Sequence, residues 1–389
     1  MMLKDVFIVS VGSTVYGRIV GRLAKLKAVD LASLALNKAI NLINPNVFNS
    51  IIKEYSFSFV LGNVIQAGNG QNLARQVLFK SNLPINTPAF VVNQVCISPI
   101  KALNLAYLYV ATGEYDIIAA GGVESMTNAP FISKVRLGNK YGDLVLEDSI
   151  NTDGLRCAIT NKLMIEIADI VAKRYGITRE EQDVMAYNSH LRANNAFKNS
   201  EFSNYFVGYQ DLIKDENIRE DISLEKLNSL KPVNSESITA GNASALADGS
   251  SILVLTNEEV IKKYNLKPLA RIIGFAEAFE EPANFPIVPS FSTKTLLKKY
   301  NLNKEDIGIW EINEAFAAVL GVNIKILEID YNYTNVFGGA VAFGHPIGAT
   351  GARLAINSII AMKKFNKNKA VIMACAGSGG GYSLAIENI

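Results

Sequence analysis

Cys96 stands where activated nucleophiles are often found, at a predicted turn from a strand into a helix. It ends the apolar run AFVVNQVC and precedes the helical pattern SPIKALNLAYLYVATG. The pattern predicts Ser98 as the N-cap, Pro99 as the first helical residue and Gly113 as the stop. Free N–H groups at a helix N-terminus favour a thiolate, so Cys96 is a candidate nucleophile. A buried structural cysteine is the alternative, and position alone leaves both open.

His345, one of two histidines in 389 residues, lies in the glycine-rich run VFGGAVAFGHPIGATGAR. Such a run lets backbone approach another group closely. Because these surroundings give an imidazole little to pack against, His345 is predicted to be functional. Cys375 ends the apolar run KAVIMACAG and meets GSGGG, a turn that can aim N–H groups at an oxyanion or simply bend the chain. Taken alone, Cys375 is more often a core residue than a catalytic one.

Other residues with reactive side chains are assigned structural roles. His190 lies in the charged helix REEQDVMAYNSHLRANN and is predicted to face solvent. Cys157 has no partner motif and, like Trp310, is expected to be buried. Glu124 and Glu314 flank glycine or asparagine in GGVES and INEAF, where hydrogen-bonded structural carboxylates are expected rather than catalytic groups.

The composition is that of a globular protein with large buried sheets. The chain has 49% hydrophobic and 19% charged residues, and its length predicts two or more domains. The net charge is +2 without a Lys/Arg block, which argues against nucleic-acid binding. No apolar run is expected to reach the length that is needed to span a membrane. Three cysteines without metal-ligand spacing favour a reducing cytoplasm and indicate no metal site.

Apolar strands alternate with helical patterns in both outer parts of the chain, which indicates an α/β protein with sheets covered on both faces. Residues 122–247 are more polar and irregular, and they are predicted to form an inserted domain. The first half then covers residues 1–121, completed by about 248–265, and the second half covers 266–389. YDIIAAGGVES and KAVIMACAGSGGG both run from an apolar strand into glycines, which favours a duplicated half.

Six motifs in this order resemble those of the thiolase family, the acetyl-CoA C-acetyltransferases and 3-ketoacyl-CoA thiolases: VNQVC, GGVESMTNAP, TAGNASALADGSS, NEAFAA, GGAVAFGHPIGATGAR and CAGSGGG. The resemblance extends from about residue 5 to the end. It implies two βαβαβαββ halves packed in α/β/α/β/α layers, with the inserted loop domain binding coenzyme A. It also implies a homodimer or homotetramer without a metal or redox cofactor, and acetyl-CoA, acetoacetyl-CoA and coenzyme A as substrates.

The resemblance assigns roles to residues at the matching positions. Cys96 matches the nucleophile that accepts the acyl group, and His345 matches the residue that activates it and helps bind the second thioester oxygen. Cys375 matches the acid/base cysteine that takes a proton from the acetyl methyl group. Asn313 matches the residue that holds a water in one oxyanion hole, and the N–H groups of Cys96 and Gly377 match the other hole. By this assignment, the glycines leave room at His345 for acyl groups and an oxyanion. The implied coenzyme A path passes Leu155, Leu163, Met164, Arg219, Ala240, Ser244 and Phe316.

The chain departs from the family pattern around this implied site. Ile97 and Pro99 stand where most members have small residues after the nucleophile. The segment that reads His-Met-Gly in many short-chain members is Leu163-Met164-Ile165 here. Phe337 replaces an asparagine, Ser378 interrupts a glycine run, and STV replaces an N-terminal RTP. No catalytic side chain is lost, so an altered pocket shape or rate is expected.

The function expected from the resemblance is an acetyl-CoA C-acetyltransferase that forms or cleaves acetoacetyl-CoA through an acyl group on Cys96. A degradative thiolase acting on longer 3-ketoacyl-CoA is the close alternative, and Leu163 and Ile97 do not decide between them. A decarboxylating condensing enzyme is disfavoured, since the second cysteine favours non-decarboxylating chemistry and His190 is the only other histidine. A cysteine hydrolase would use the Cys/His pair but would not bind coenzyme A. A non-catalytic assembly partner stays open, although all four catalytic side chains are present.

Overall fold

The computed structural model describes residues 3–389, in which strands and helices alternate as the sequence predicts. The strands are β1 (Val6–Thr14), β2 (Gly17–Arg18), β3 (Phe57–Gly62), β4 (Ala89–Val92), β5 (Ile117–Ser125), β6 (Phe131–Ile132), β7 (Glu147–Asp148), β8 (Phe206–Val207), β9 (Ala247–Asn257), β10 (Ala270–Phe279), β11 (Ile309–Ile312), β12 (Lys369–Ala376) and β13 (Gly380–Glu387). The α-helices are α1 (Ala28–Ile43), α2 (Pro45–Glu54), α3 (Leu73–Lys80), α4 (Ser98–Thr112), α5 (Met164–Tyr175), α6 (Arg179–Lys198), α7 (Leu224–Asn228), α8 (Glu258–Tyr264), α9 (Val288–Lys299), α10 (Ala317–Leu327), α11 (Ala340–Phe343) and α12 (Thr350–Lys364).

The main sheet has the strand order β11-β12-β13-β10-β1-β9-β5-β3-β4, and its two halves repeat one pattern. In the first half, parallel β4, β3 and β5 continue into antiparallel β9 and β1. In the second half, parallel β11 and β12 continue into antiparallel β13 and β10. The half-sheets join where Phe7 pairs with Arg271 and Ile8 pairs with Ala270. The predicted α/β fold of two similar halves is confirmed.

Two helices, α4 and α12, lie between the half-sheets and form the middle of five layers. Helix α4 packs on β3 and β5 and also touches β10 and β13, while α12 packs on β11 and β12 and also touches β5 and β9. Helices α1 and α3 cover the outer face of the first half, and α9 and α10 cover that of the second. Burial of each large side chain in the middle layer, such as Leu103 or Leu354, contributes about 1.5–3 kcal/mol.

The start of α4 differs from the predicted cap. Ile97 is the N-cap, Ser98 is the first helical residue, and Pro99 is therefore the second. Ser98 instead donates its hydroxyl to the Val95 carbonyl oxygen at 2.6 Å. The prediction was wrong because Val95 adopts a φ of 52°, in the left-handed region. The turn at Val95 brings the Ser98 hydroxyl to the Val95 carbonyl oxygen, so this hydroxyl does not cap the helix. Gly113, with a φ of 78°, ends the helix as predicted.

The composition of α4 follows from its position in the middle layer. By length and composition alone, the stretch Val95–Thr112 is apolar enough to cross a membrane, so the expectation that no run reaches that length was wrong. Half of the stretch is buried inside the protein. A helix covered by a sheet on each side has little surface for polar residues, and this accounts for the apolar sequence.

Residues 122–247 contain the irregular part of the chain. The strands β6 and β7 form a separate hairpin, and between them Leu137 and Tyr141 are 99% and 98% exposed. Helices α5 and α6 pack against α10 of the second half. The chain then returns through β9 to a place between β1 and β5. The domain boundaries derived from composition stay a prediction.

Candidate active site

The four side chains that the motifs assign to catalysis meet at the ends of elements from both halves. Cys96 lies between β4 and α4, and His345 lies between α11 and α12. Asn313 follows β11, and its Nδ2 is 3.4 Å from Nε2 of His345. Cys375 lies near the end of β12, and burial, followed by charge on Cys96, raises the pKa of its thiol. The N–H of Gly377 lies at the Cys96 thiol, and Ile347, two residues after His345, belongs to the apolar cluster against which Cys96 packs.

A strained turn presents Cys96. Val95 is β-branched, and a positive φ in such a residue costs on the order of 1–3 kcal/mol. Local hydrogen bonds hold the turn: Asn93 Oδ1 accepts the Val95 N–H at 3.1 Å, and the Ser98 hydroxyl accepts the Gln94 N–H at 2.8 Å. The residues that set the position of Cys96 therefore lie within a few positions of it in the chain.

The Cys96 thiol is protonated at rest. Burial raises its pKa to about 12, the N–H groups of Gly377 and Cys96 itself lower it, and the charge of Glu124 raises it. The expected preference for a thiolate at the α4 N-terminus is thus outweighed by desolvation. Acyl transfer from this thiol needs a base that removes its proton.

His345 has the tautomer and the protonation state that such a base needs. Its Nδ1 lies 2.7 Å from the hydroxyl oxygen of Thr350, and this hydroxyl donates to the Pro346 carbonyl oxygen at 3.0 Å. Because the hydroxyl has one proton, Nδ1 donates to Thr350 and Nε2 is left as the acceptor that faces Asn313. Burial lowers the pKa of His345 to about 4, so the imidazole is neutral at pH 7. A neutral imidazole with a free Nε2 can take the thiol proton.

The glycines around His345 are needed for packing of the protein against itself. A β-carbon at Gly348 would lie 2.6 Å from the Val123 carbonyl oxygen, and one at Gly339 would lie 2.2 Å from the Glu314 carboxyl carbon. The prediction of close backbone approach is confirmed, but the expectation that these glycines make room for substrate is wrong. Similar contacts, below 3.0 Å, exist at Gly338, Gly344 and Gly351.

The turn after Cys375 aims an N–H group at the nucleophile. Ser378 and Gly379 both lie in the left-handed region, with φ of 67° and 83°. This conformation lets the N–H of Gly377 reach the Cys96 thiol. Serine tolerates the turn, so the interrupted glycine run does not remove the oxyanion donor that the motif predicts.

A cavity of about 310 Å³ opens beside His345 and has a mostly apolar lining. Five residues of the predicted coenzyme A path line it: Leu155, Leu163, Met164, Ser244 and Phe316. Arg219 and Ala240 are exposed and do not contribute to this lining, as far as residues 3–389 show, so their assignment stays a prediction. Sequence reasoning missed Met126, Asn151, Ile165, Ala243, Ala245, Leu246 and Ile347 as lining residues. Most of them had an available signal: Met126, Ala243, Ala245, Leu246 and Ile347 stand in the motifs quoted above, and Ile165 follows Met164 directly, whereas Asn151 had none.

A second cavity of about 400 Å³ lies on the other side of Met164 and reaches Val95 and Gly377. Its lining is more polar and includes Arg156 and Cys157. Cys157 is buried as predicted. Although burial raises the pKa of Cys157, hydrogen bonds from Thr160, Ile159 and Ser378 lower it overall.

His190 is buried and does not face solvent. It is 2% exposed, and its Nδ1 accepts the N–H of Arg219 at 3.1 Å. Burial, followed by the charge of Arg219, lowers its pKa to about 3. The prediction was wrong because α6 packs against α11, where the neighbouring Ser189 donates its hydroxyl to Glu314 at 2.7 Å. Trp310 is in the core as predicted.

Comparisons with known proteins agree with this arrangement. The family model described as Thiolase, N-terminal domain matches residues 6–259, and Thiolase, C-terminal domain matches residues 266–388. The mitochondrial acetyl-CoA acetyltransferase of Bos taurus is 39% identical over 398 aligned residues, which cover 100% of this chain and 92% of that protein. The protein of the same name from Homo sapiens is 39% identical, with 100% and 91% covered.

Solved structures give the same result. The Bacillus anthracis acetyl-CoA acetyltransferase superposes with a TM-score of 0.94 at 33% identity, and both chains are covered in full. The Acat5 thiolase from Ascaris suum in complex with coenzyme A gives 0.92 at 34% identity, with 99% of this chain and 100% of that chain covered. Human mitochondrial 3-ketoacyl-CoA thiolase gives 0.94 at 31% identity, again with both chains covered in full. The chain belongs to the thiolase family.

Proposed function

We propose that the chain is an acetyl-CoA C-acetyltransferase, an acyltransferase that condenses two acetyl-CoA molecules to acetoacetyl-CoA or runs the reverse thiolysis. One observation carries the proposal: the Cys96 thiol lies beside the Gly377 N–H and Cys375, and it packs against the apolar cluster that contains Ile347 of the His345 loop. The names of the relatives from Bos taurus, Homo sapiens and Bacillus anthracis support it.

The first step loads an acetyl group on Cys96. The thiol gives its proton to Nε2 of His345, the thiolate attacks the thioester carbonyl carbon, and coenzyme A leaves as a thiol that takes this proton. Thioester exchange keeps the number and kind of bonds, so its free-energy change is small. The N–H groups of Gly377 and Cys96 stabilise the oxyanion, and one such donor is worth about 10²–10³ in rate.

The second step forms the carbon–carbon bond. The Cys375 thiol gives its proton to Nε2 of His345, and the thiolate then takes a proton from the methyl group of a second acetyl-CoA. The carbanion attacks the acetyl carbonyl carbon and expels the Cys96 thiolate, which takes the proton held by His345. His345 Nε2 and Asn313 face the enolate oxygen. Asn313 Oδ1 is buried without a hydrogen-bond partner among residues 3–389, which makes it available to hold a water there.

Thiolysis of longer 3-ketoacyl-CoA is the second candidate function. The observation that favours it is the cavity of about 400 Å³ that reaches Val95 and Gly377, next to the reacting thiols. The name of the human mitochondrial 3-ketoacyl-CoA thiolase is consistent with it. A non-catalytic assembly partner is disfavoured, because the four catalytic side chains are both present and close together.

The cofactor requirement, assembly and location are proposals as well. Coenzyme A thioesters are substrates, and the chemistry above needs no further cofactor. A homodimer or homotetramer is supported by the exposed side chains of Leu137 and Tyr141 on the β6–β7 hairpin, which suit burial between copies. Three free cysteines fit a reducing compartment such as the cytoplasm.

The test is thiolysis of acetoacetyl-CoA by coenzyme A, followed as loss of substrate absorbance. Turnover that is abolished by Cys96→Ser and by Cys375→Ala, but kept by Cys157→Ser, would establish the two-thiol reaction. Turnover only with longer 3-ketoacyl-CoA would favour the second candidate. Binding of coenzyme A without turnover of either substrate would overturn both candidates and favour an assembly partner.

A further inference from the structure

Glu124, near the end of β5, joins the two halves of the protein through one buried carboxylate. It is 1% exposed. Its Oε1 accepts the Asn63 side-chain amide at 2.7 Å and the Ile65 N–H at 3.1 Å. Its Oε2 accepts the Val64 N–H at 3.1 Å and the Gly348 N–H at 2.9 Å. Three donors thus come from the segment after β3 in the first half, and the fourth comes from the loop that carries His345 in the second half.

The backbone at Gly348 packs closely against Glu124 and Gly122, and this arrangement is called the Glu124 seat. A β-carbon at Gly348 would lie 2.8 Å from Glu124 Oε2, and a β-carbon at Gly122 would lie 1.7 Å from the Gly348 carbonyl oxygen. Gly348 stands between His345 and Thr350, whose hydroxyl orients the imidazole. The position of Gly348 against the first half therefore sets where the imidazole lies relative to Cys96.

We propose that Glu124 is a positioning residue: its ionised carboxylate holds the His345 loop against the first half, so that Nε2 meets the Cys96 thiol. The inference rests on the proposed acyl transfer, because that is the reaction being positioned. Protonation of the carboxyl would place an O–H against N–H donors, which cannot accept it, and would loosen the seat.

The electrostatic surroundings make this carboxyl sensitive to pH near neutrality. Burial raises the pKa of Glu124 to about 7, against the N–H groups of Ile65, Val64 and Gly348, while the charge of Asp248 on β9 raises it further. The reacting groups titrate elsewhere, with a pKa of about 12 for Cys96, about 4 for His345 and a strongly raised value for Cys375. Among the other buried carboxyls with a raised pKa, Glu314 accepts the Val341 N–H of α11, just before the His345 loop, so Glu314→Gln serves as the comparison.

The test measures acetylation of Cys96 by acetyl-CoA, by intact mass, from about pH 5.5 to 8.5. In the wild type, the rate of Cys96 acetylation should fall as the pH decreases, with a midpoint near the pKa of about 7 of Glu124. This decrease is the acid limb of the pH profile. Glu124→Gln keeps the volume but turns an amide N–H₂ toward two donors, so the rate at the alkaline end should fall about 10- to 100-fold, and the acid limb should disappear. Asp169→Asn is the matched control, because the buried carboxylate of Asp169 also accepts backbone N–H groups, those of Glu236 and Ser237, yet Asp169 lines neither cavity of the site. Asp169→Asn should keep both the rate of Cys96 acetylation and the acid limb of its pH profile.

A second variant covers the case in which Glu124→Gln does not fold. Asn63→Ala removes one donor to the ionised carboxylate, so the pKa of Glu124 rises and the acid limb should move to higher pH. An unchanged acid limb in Glu124→Gln or Asn63→Ala, or an acid limb lost in Glu314→Gln instead, would overturn the proposal.

If the wild type is not acetylated at any pH, the proposed function fails, and iodoacetamide alkylation of Cys96 still tests Glu124. Alkylation should then be slower in Glu124→Gln than in the wild type at the alkaline end of this pH range, because Nε2 of His345 no longer meets the Cys96 thiol, and equal rates would overturn the inference.

Discussion

The turn that presents Cys96 and the loop that presents His345 reach the same site by different means. Cys96 is placed by its own neighbours in the chain, through the strained Val95 and hydrogen bonds among Asn93, Gln94 and Ser98. The His345 loop is placed by distant residues: its N–H donates to the Ala245 carbonyl oxygen at 2.8 Å, and Gly348 is held by Glu124. Local strain is sufficient for a nucleophile, whereas the base depends on how the two halves fit together.

The largest effect is expected from removing the base. His345→Ala should slow acetylation of Cys96 about 10²–10⁴-fold, because a thiol with a pKa of about 12 then has no group to take its proton. The measurement is intact mass after mixing with acetyl-CoA. His190→Asn is the control, since it replaces the only other histidine and keeps an acceptor for the Arg219 N–H. Equal rates in the two variants would contradict the assignment of the base.

The next effect concerns the anchor of α12. Arg353 and Asp215 form an ion pair of 2.7 Å with both side chains fully buried. Arg353→Met leaves Asp215 without its partner and should lower the free energy of unfolding by about 3–5 kcal/mol, measured in urea. Lys364 lies on the same helix and forms a partly exposed ion pair with Glu201. Lys364→Met should change the free energy of unfolding by no more than about 1 kcal/mol. Similar losses would mean that the buried pair does not anchor α12.

A smaller effect is expected from the residue that orients the imidazole. Thr350→Val keeps the shape but removes the hydroxyl that binds Nδ1 of His345, so kcat should fall about 10-fold with little change in KM. Thr350→Ser should restore most of the rate. A valine variant with full kcat would show that the loop alone fixes the tautomer.

The smallest effect tests the local strain at the nucleophile. Val95→Gly removes the strain of a positive φ and adds chain flexibility, so the free energy of unfolding should rise by about 1 kcal/mol. Val95→Ala keeps most of the strain and should not show this gain. If glycine destabilises the protein, the turn is not strained, and the contrast between the two loops would disappear.

The same contrast explains which features could be predicted from the sequence. The strands, the helices and the nucleophile turn follow from local patterns, and Gly113 ends α4 as predicted. The wrong predictions depend on contacts between distant parts. Burial, which no short motif reveals, raises the pKa of Cys96 and hides His190 under α11. The helix start is the exception: the positive φ of Val95, which moves it one residue earlier than predicted, is held by local hydrogen bonds, but a β-branched residue gives no signal for that conformation.

Cavity residues show the same limit. Leu155, Leu163 and Phe316 were identified by matching positions in the family, whereas Asn151, which stands in no quoted motif, reaches the cavity only through folding. The Glu124 seat for Gly348 links residues more than two hundred positions apart. No feature of GGVES alone predicts this contact, because it depends on how the two halves are arranged.

The shared middle layer has a consequence for folding. Helix α4 of the first half touches strands of the second, and α12 of the second touches strands of the first, while the half-sheets themselves meet through only two residue pairs of β1 and β10. The match to the N-terminal domain ends at residue 259 and the match to the C-terminal domain begins at residue 266. A chain cut between them would expose an apolar face of the central helix to solvent in each fragment. Neither fragment would be an autonomous folding unit, so the duplicated architecture should melt as one cooperative body.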